Sequence, residues 1–227
     1  MRKKRNQPFV DKKIITSWNA LAGIGLVMAW RYTANIKALE KAKKLFTKLL
    51  EKHYDKDKLL HSSLGKKVQE AEFLEDCAAV FLLITYLHEE TSEYQELLVS
   101  FSQKVQLFKK SEWIESNNSD FMEIVAESYD HPTPSSVSLA EFGLLRMNIL
   151  LNQMYGPTEY RSPLNHDFYN LITLVSSGDS HIIHSPERLD WNKLPLNSIQ
   201  VRSNKILDCY KMKCMEFKST EELFNSF

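Results

Sequence analysis

The sequence predicts a mainly α protein built from helical hairpins in two layers, followed by a small α/β segment. Three observations carry that prediction. Gly 6 and Pro 7 in 227 residues are about half the usual share, so elements are long and tight turns few. A nearly all-apolar helical stretch is followed by an amphipathic one, twice, as expected of an inner and an outer helix layer. After Gly156-Pro157 the pattern changes to short apolar runs of strand length. The segments are therefore 1–155, helical hairpins, and 156–227, a small α/β appendage.

The first helix is expected over about Ile14 to Tyr32. Ile14, Trp18, Leu21, Gly25, Met28 and Tyr32 recur at helical spacing, and Ile15, Ala22, Leu26 and Ala29 widen the apolar face. Such a helix is expected to be buried on most sides, with Trp18 in the core. Gly23 and Gly25 weaken it but permit close backbone approach. The second helix, about Asn35 to Tyr54, turns Ile36, Leu39, Phe46, Leu49 and Leu50 inward and its lysines to water. The third, about Phe73 to Glu90, is apolar nearly all round and central. The fourth, about Glu93 to Lys110, is amphipathic. A turn cluster at Asn117-Asn118-Ser119-Asp120 and a short strand within Phe121 to Tyr129 precede a fifth helix, about Ser136 to Leu151. Ser138 and Glu141 suit a capping box at its start. Leu171–Val175 is either a buried strand or a helix end. His181–His184, Ser198–Val201 and Leu207–Tyr210 read as strands, and Ser219 to Glu222 caps a last helix.

Charge is balanced at 29 basic and 29 acidic residues, so no global field draws the chain to nucleic acid or an anionic membrane. The basic start Arg2, Lys3, Lys4, Arg5 reads as a solvated segment. The longest apolar run, Ala20 to Trp30, is too short to span a bilayer. Three cysteines argue against a secreted disulfide framework, and a cytoplasmic setting is expected.

The sequence contains no Walker A loop, HExxH, GxSxG or CxxC, the usual carriers of nucleotide hydrolysis, zincin, α/β-hydrolase and thioredoxin chemistry. What remains are polar residues at helix starts. Asp11, Ser17, Trp18 and Asn19 crowd the first helix. Glu75 and Asp76 open the third. Asp130, Ser135 and Ser136 precede the fifth. Helix capping explains each one alone. If all three starts lie at one end of the layer, Glu75, Asp76 and Asp130 converge on a cleft suited to acid–base work. His181, His184, Cys209 and Cys214 present loose zinc-type spacing, Lys211 and Lys213 suit an activated thiol pair, and two inert cysteines are the plain reading. No cofactor and no metal are expected.

The string PFVDKKIITSWNAL resembles the P-x-x-D-D-K-x-x-T-S-W-N-G-L motif of long thioredoxin-domain proteins of the spermatogenesis-associated and YyaL type. FLEDCAAVFLLITYLHEET resembles the F-L-E-D-Y-A segment of that family, YDHPTPSSVSLAEFGLLRM its D-x-x-x-P-S-G-N-S segment, and LDCYKMKCMEF its closing C-x4-C stretch. Ala20, Cys77 and Ser136-Val137 depart from the family's Gly, Tyr and Gly-Asn. The resemblance implies a partial (α/α) toroid of the six-hairpin glycosidase and sugar 2-epimerase kind, lacking the thioredoxin-like domain and the earlier hairpins. By position it implies Glu75, Asp76 and Asp130 as catalytic candidates, and Asp11, Trp18, Asn19 and Ser135 around a sugar-like small molecule. The implied partner is a chain supplying the missing hairpins or thioredoxin-like domain, or a second copy. The rival expectation is a non-enzymatic remnant whose site has decayed.

Overall fold

The structure, a computed structural model, describes residues 10–117, 122–153, 172 and 174–227. The basic start, Pro8-Phe9 of the first matched string, Phe121 and Gly156-Pro157 lie outside the described residues. The chain is mainly helical: helical hairpins in two layers, with a small sheet at the C-terminal end.

Helices α1 (Thr16–Thr33), α3 (Leu74–Thr91) and α5 (Ser136–Leu150) form the inner layer, and α2 (Ile36–His53) and α4 (Gln95–Gln106) the outer. Helix α3 lies between α1 and α5. Its residues from Leu74 to Glu90 are buried, apart from half-buried Glu75, which is what an all-round apolar sequence requires. Helices α2 and α4 bury one stripe each, Leu39, Ala42, Phe46 and Leu49 on α2 and Leu98, Phe101 and Val105 on α4.

Close packing of the inner layer depends on two glycines. A Cβ on Gly23 would lie 2.8 Å from a methyl of Leu83, and one on Gly143 2.7 Å from the Phe81 ring. Gly25 has open space instead. Helix α1 departs from the expected all-round burial. Only Thr16, Ser17, Ala20, Gly23, Val27 and Arg31 are buried, and Trp18 is 62% exposed. Its small residues face α3, whereas Leu21, Leu26, Met28 and Trp30 are only partly buried against the same core. Trp18 is therefore not core.

Between the hairpins run β1 (Ile14–Ile15), β2 (Tyr54–Asp55), β3 (Lys58–Leu59), β4 (Ser62–Leu64) and β5 (Lys67–Gln69), paired β1-β4-β5 and β2-β3, all antiparallel. Buried Lys104 of α4 fastens the β2–β3 turn, donating to the carbonyl of Asp57 and to Glu72 at 3.3 Å. The strand expected before Tyr129 reduces, among the described residues, to an isolated bridge between Ile114 and Val125. The capping box also shifts. Ser135, not Ser138, is the N-cap of α5, accepting from Ser138 N–H at 3.1 Å, and Glu141 instead accepts from Trp113 Nε1.

Residues 174–176 are helical, so that apolar run is a helix end. Strands β6 (Ile182–Ser185), β7 (Ile199–Arg202), β8 (Ile206–Tyr210) and β9 (Lys213–Phe217) form a sheet in the order β7-β6-β8-β9, with β6 and β7 parallel. Ile199 and Val201 of β7 join the main helical core, whereas Ile183, Leu189, Trp191, Leu194 and Leu223 form a second small one. Ser219 caps the terminal helix Thr220–Phe224 by accepting from Glu222 N–H. Cys209 and Cys214 face each other across the β8–β9 hairpin and form a disulfide. Two inert thiols are thus not what the fold contains, and the zinc reading loses both of its thiolates.

Candidate functional site

The starts of α1, α3 and α5 lie at one end of the inner layer, tied together by carboxylates. Asp76 sits in the first turn of α3, yet its Oδ1 accepts from Ser17 N–H of α1 at 2.9 Å. Glu115 does the same between α3 and α5. Its backbone carbonyl accepts from Leu74 N–H at 2.9 Å, and its Oε2 accepts from Ser136 Oγ at 2.9 Å. Asp130 Oδ1 accepts from Ser135 N–H at 2.8 Å just ahead of α5. Capping is thus real for Asp76, but across helices, which a linear reading does not reveal.

The consecutive pair Glu75-Asp76 is divided between two surroundings. Asp76, 0% exposed, faces α1, and its Oδ2 meets His61 Nδ1 at 2.8 Å. Burial pushes the Asp76 carboxyl up to about 6, against the pull of His61 and Ser17 N–H. Asp76 holds the ring through Nδ1 and so orients His61 with Nε2 directed away from that carboxyl. Its ring edge rests on Phe73, and about a quarter of the side chain is exposed. Behind it, Thr16 Oγ1 donates to the carbonyl of Leu60 at 2.5 Å and meets His53 Nδ1 at 2.7 Å. Ser63 Oγ lies 2.8 Å from His53 Nε2. A Thr16 hydroxyl already donating must accept from Nδ1–H, which places a proton on His53 Nδ1. Burial and nearby Lys52 hold the His53 pKa below the usual histidine range.

Glu75 faces the other way, into a cleft of about 200 Å³ together with Glu115, Glu127, His131, Ser135 and Ser136. Burial raises the Glu115 carboxyl, the Ser136 hydroxyl opposes, and the charge of Glu75 raises it again. The two carboxyl groups thus share one cleft in unlike surroundings.

Of the residues singled out by position, Glu75 and Ser135 line the cleft and Asp130 adjoins it through Ser135. Asp76 lies on the α1 side with His61. Asn19 is spent locally, its Nδ2 donating to the carbonyl of Ile15 at 2.7 Å. Asp11 is exposed and held by Lys13, whose N–H lowers its pKa. Trp18 is an exposed ring in the first turn of α1. Glu115, Glu127 and His131 escape sequence reasoning, because they sit in an irregular segment where no periodicity assigns a direction.

No protein-family profile matches the chain. The uncharacterized protein B0495.5 of Caenorhabditis elegans is 26% identical over 181 residues, covering 74% of this chain and 24% of the relative. The chain thus spans about a quarter of the length of that relative. A solved structure, the GH76 alpha-mannanase BT2949 of Bacteroides thetaiotaomicron, superposes with a TM-score of 0.50 and 18% identity, over 76% of this chain and 47% of the mannanase. That likeness establishes the fold as the (α/α) toroid kind.

Proposed function

We propose that this chain is a carbohydrate-active module that binds a sugar-like molecule at the N-terminal end of its inner helices. The observation that carries this reading is the Glu75–Glu115 cleft, where one carboxyl is held up by burial and the other is half-exposed. Glu115 serves as acid, Glu75 as the second carboxyl group of the cleft, and Asp76 positions His61 as a second base. Asp130 orders the α5 start through Ser135. The mannanase superposition supports a toroid that handles carbohydrate, the coverage of both similar proteins supports membership of a longer protein, and the thioredoxin-domain kind rests on the motif resemblance alone. The test is a panel of mono- and oligosaccharides titrated into the full chain by calorimetry. Saturable binding that weakens at least tenfold in Glu75→Gln and Glu115→Gln, with melting unchanged, is expected. No binding across the panel overturns the reading.

The non-enzymatic alternative has its own observation: Asp76 and Asp130 are both committed to backbone caps. Binding without turnover of any bound sugar favours it. In either reading the apolar face of α1, with Trp18 62% and Tyr32 44% exposed, receives a further helical hairpin. Helix α1 is the open edge of an array matching 47% of a toroid chain.

A further inference from the structure

The opposite end of the inner layer holds a second polar centre. There Arg31, Glu89, Glu90 and Arg146 are 5%, 4%, 6% and 2% exposed. Glu89 accepts from Arg31 Nη2 at 2.6 Å, from Gln200 N–H at 2.8 Å and from Arg146 Nη2. Glu90 accepts from Arg31 Nε at 2.7 Å, Trp30 Nε1 at 2.9 Å, and Arg188 Nη1 and Trp191 Nε1 at 3.0 Å each. Arg146 Nε donates to Thr85 Oγ1 at 3.0 Å. Burial pushes Glu89 up, but Arg146, Arg31 and the Gln200 N–H outweigh it and hold the carboxyl below its ordinary value.

The ledger of this centre is uneven. All four carboxylate oxygens are engaged, by seven donors in total. The guanidiniums are not exhausted: among the described residues, Nη1 of Arg31 and Nη1 of Arg146 enter no hydrogen bond. Among the described residues Arg31 and Arg146 are paired with Glu89 and Glu90, and the third guanidinium, Arg188, is part-exposed and lies outside the cavity. Arg31 and Arg146 line that cavity, of about 40 Å³ and walled by Tyr86, Phe142, Trp191 and Ser198. Their guanidinium carbons lie 4.0 Å from the Trp191 ring centre, for Arg31, and 3.9 Å from that of Tyr86, for Arg146, so both forks are held rigid by stacking. Exposed Tyr32 and Asn197 form the rim, and Met28 stands half-buried beside them.

We infer that this cavity binds the carboxylate head of a small organic acid. A planar anionic acceptor matches the unspent Nη1 groups of two pre-oriented guanidiniums. The volume suits a carboxylate head, since a water occupies roughly 10–15 Å³ on the same measure. The inference is independent of the sugar-site reading, which concerns the other end of the layer.

The test is thermal unfolding of the full chain in rising sodium formate or acetate, with sodium chloride at equal ionic strength as reference. A saturating rise in melting temperature of roughly 5 °C with the carboxylates and not with chloride is expected. Arg146→Gln removes one fork and abolishes the rise. Because that variant also disturbs Glu89, Met28→Trp serves beside it: it leaves the ion cluster intact, fills the mouth and likewise abolishes the rise. A wild-type response equal in chloride, no saturable response, or a full response in Met28→Trp overturns the inference.

Discussion

Ser17 N–H donates to Asp76 Oδ1 at 2.9 Å across 59 residues of sequence. One helix thus supplies the N-terminal cap of its neighbour, and the same carboxylate, through Oδ2, orients His61. Cap and oriented histidine are one device, so a change at Asp76 reaches both. Asp76→Ala should cost about 1–3 kcal/mol by stranding a buried backbone donor, read as a lower urea midpoint. Asp76→Asn, which keeps an acceptor oxygen, should cost less. Equal losses in the two variants would sever capping from the stability of this end.

The raised Asp76 carboxyl predicts a pH signature. Its folded value of about 6 lies above the ordinary 3.8. The folded state therefore keeps a proton that the unfolded chain releases between these values. The associated stability is full below about pH 4 and is lost as pH rises through 6, on the order of 2–3 kcal/mol. Subtracting the Asp76→Asn curve from wild type, in urea melts at pH 4, 5, 6 and 7, isolates it. A flat difference curve would show that Asp76 does not carry this proton.

Two glycines in the inner layer should respond oppositely to added bulk. Gly143→Val drives carbon into the Phe81 ring, which a Cβ alone meets at 2.7 Å, and should destabilise by about 1–3 kcal/mol. Gly25→Ala adds a methyl in open space on an exposed helix face and should stabilise by about 0.5–1 kcal/mol. Denaturant melts of both variants check the pair. Destabilisation by Gly25→Ala would mean that its face is covered.

The disulfide between Cys209 and Cys214 closes a loop of sequence separation 5. Chain entropy alone assigns so short a loop about 2 kcal/mol. Its loss should release exposed β9 while sparing the helical core, which has no cysteine other than buried Cys77 among the described residues. Amide exchange of the Cys209→Ser, Cys214→Ser variant should speed up in residues 206–217 and stay unchanged in α3. Faster exchange in α3 would make the hairpin part of the main cooperative unit.

The open face of α1 predicts association. Sedimentation of the isolated chain should reveal self-association, and Trp18→Lys should weaken it. A clean monomer that binds no apolar dye would show that the face is tolerated in water.

Helix positions and the inner and outer layers are legible along the chain, because periodicity and end signals are local properties. The central place of α3 follows from its composition alone. Other features needed the folded chain. Trp18 and Val27 both lie on apolar faces of one helix, yet only the packing of α3 decides that Val27 is buried and Trp18 is not. Cys209 and Cys214 face each other only because a two-residue turn at Lys211 and Met212, both at positive φ, sets the hairpin register. Glu75 and Asp76 are adjacent in sequence, but about 100° of helical rotation sends one to the Glu115 cleft and the other to Ser17 and His61. The Arg31–Glu89–Arg146 cluster joins three helices through ion pairs that span 58 and 57 residues. Helix-turn spacing says nothing about partners at that range, and a buried charge is stable only where the fold delivers its counter-charge.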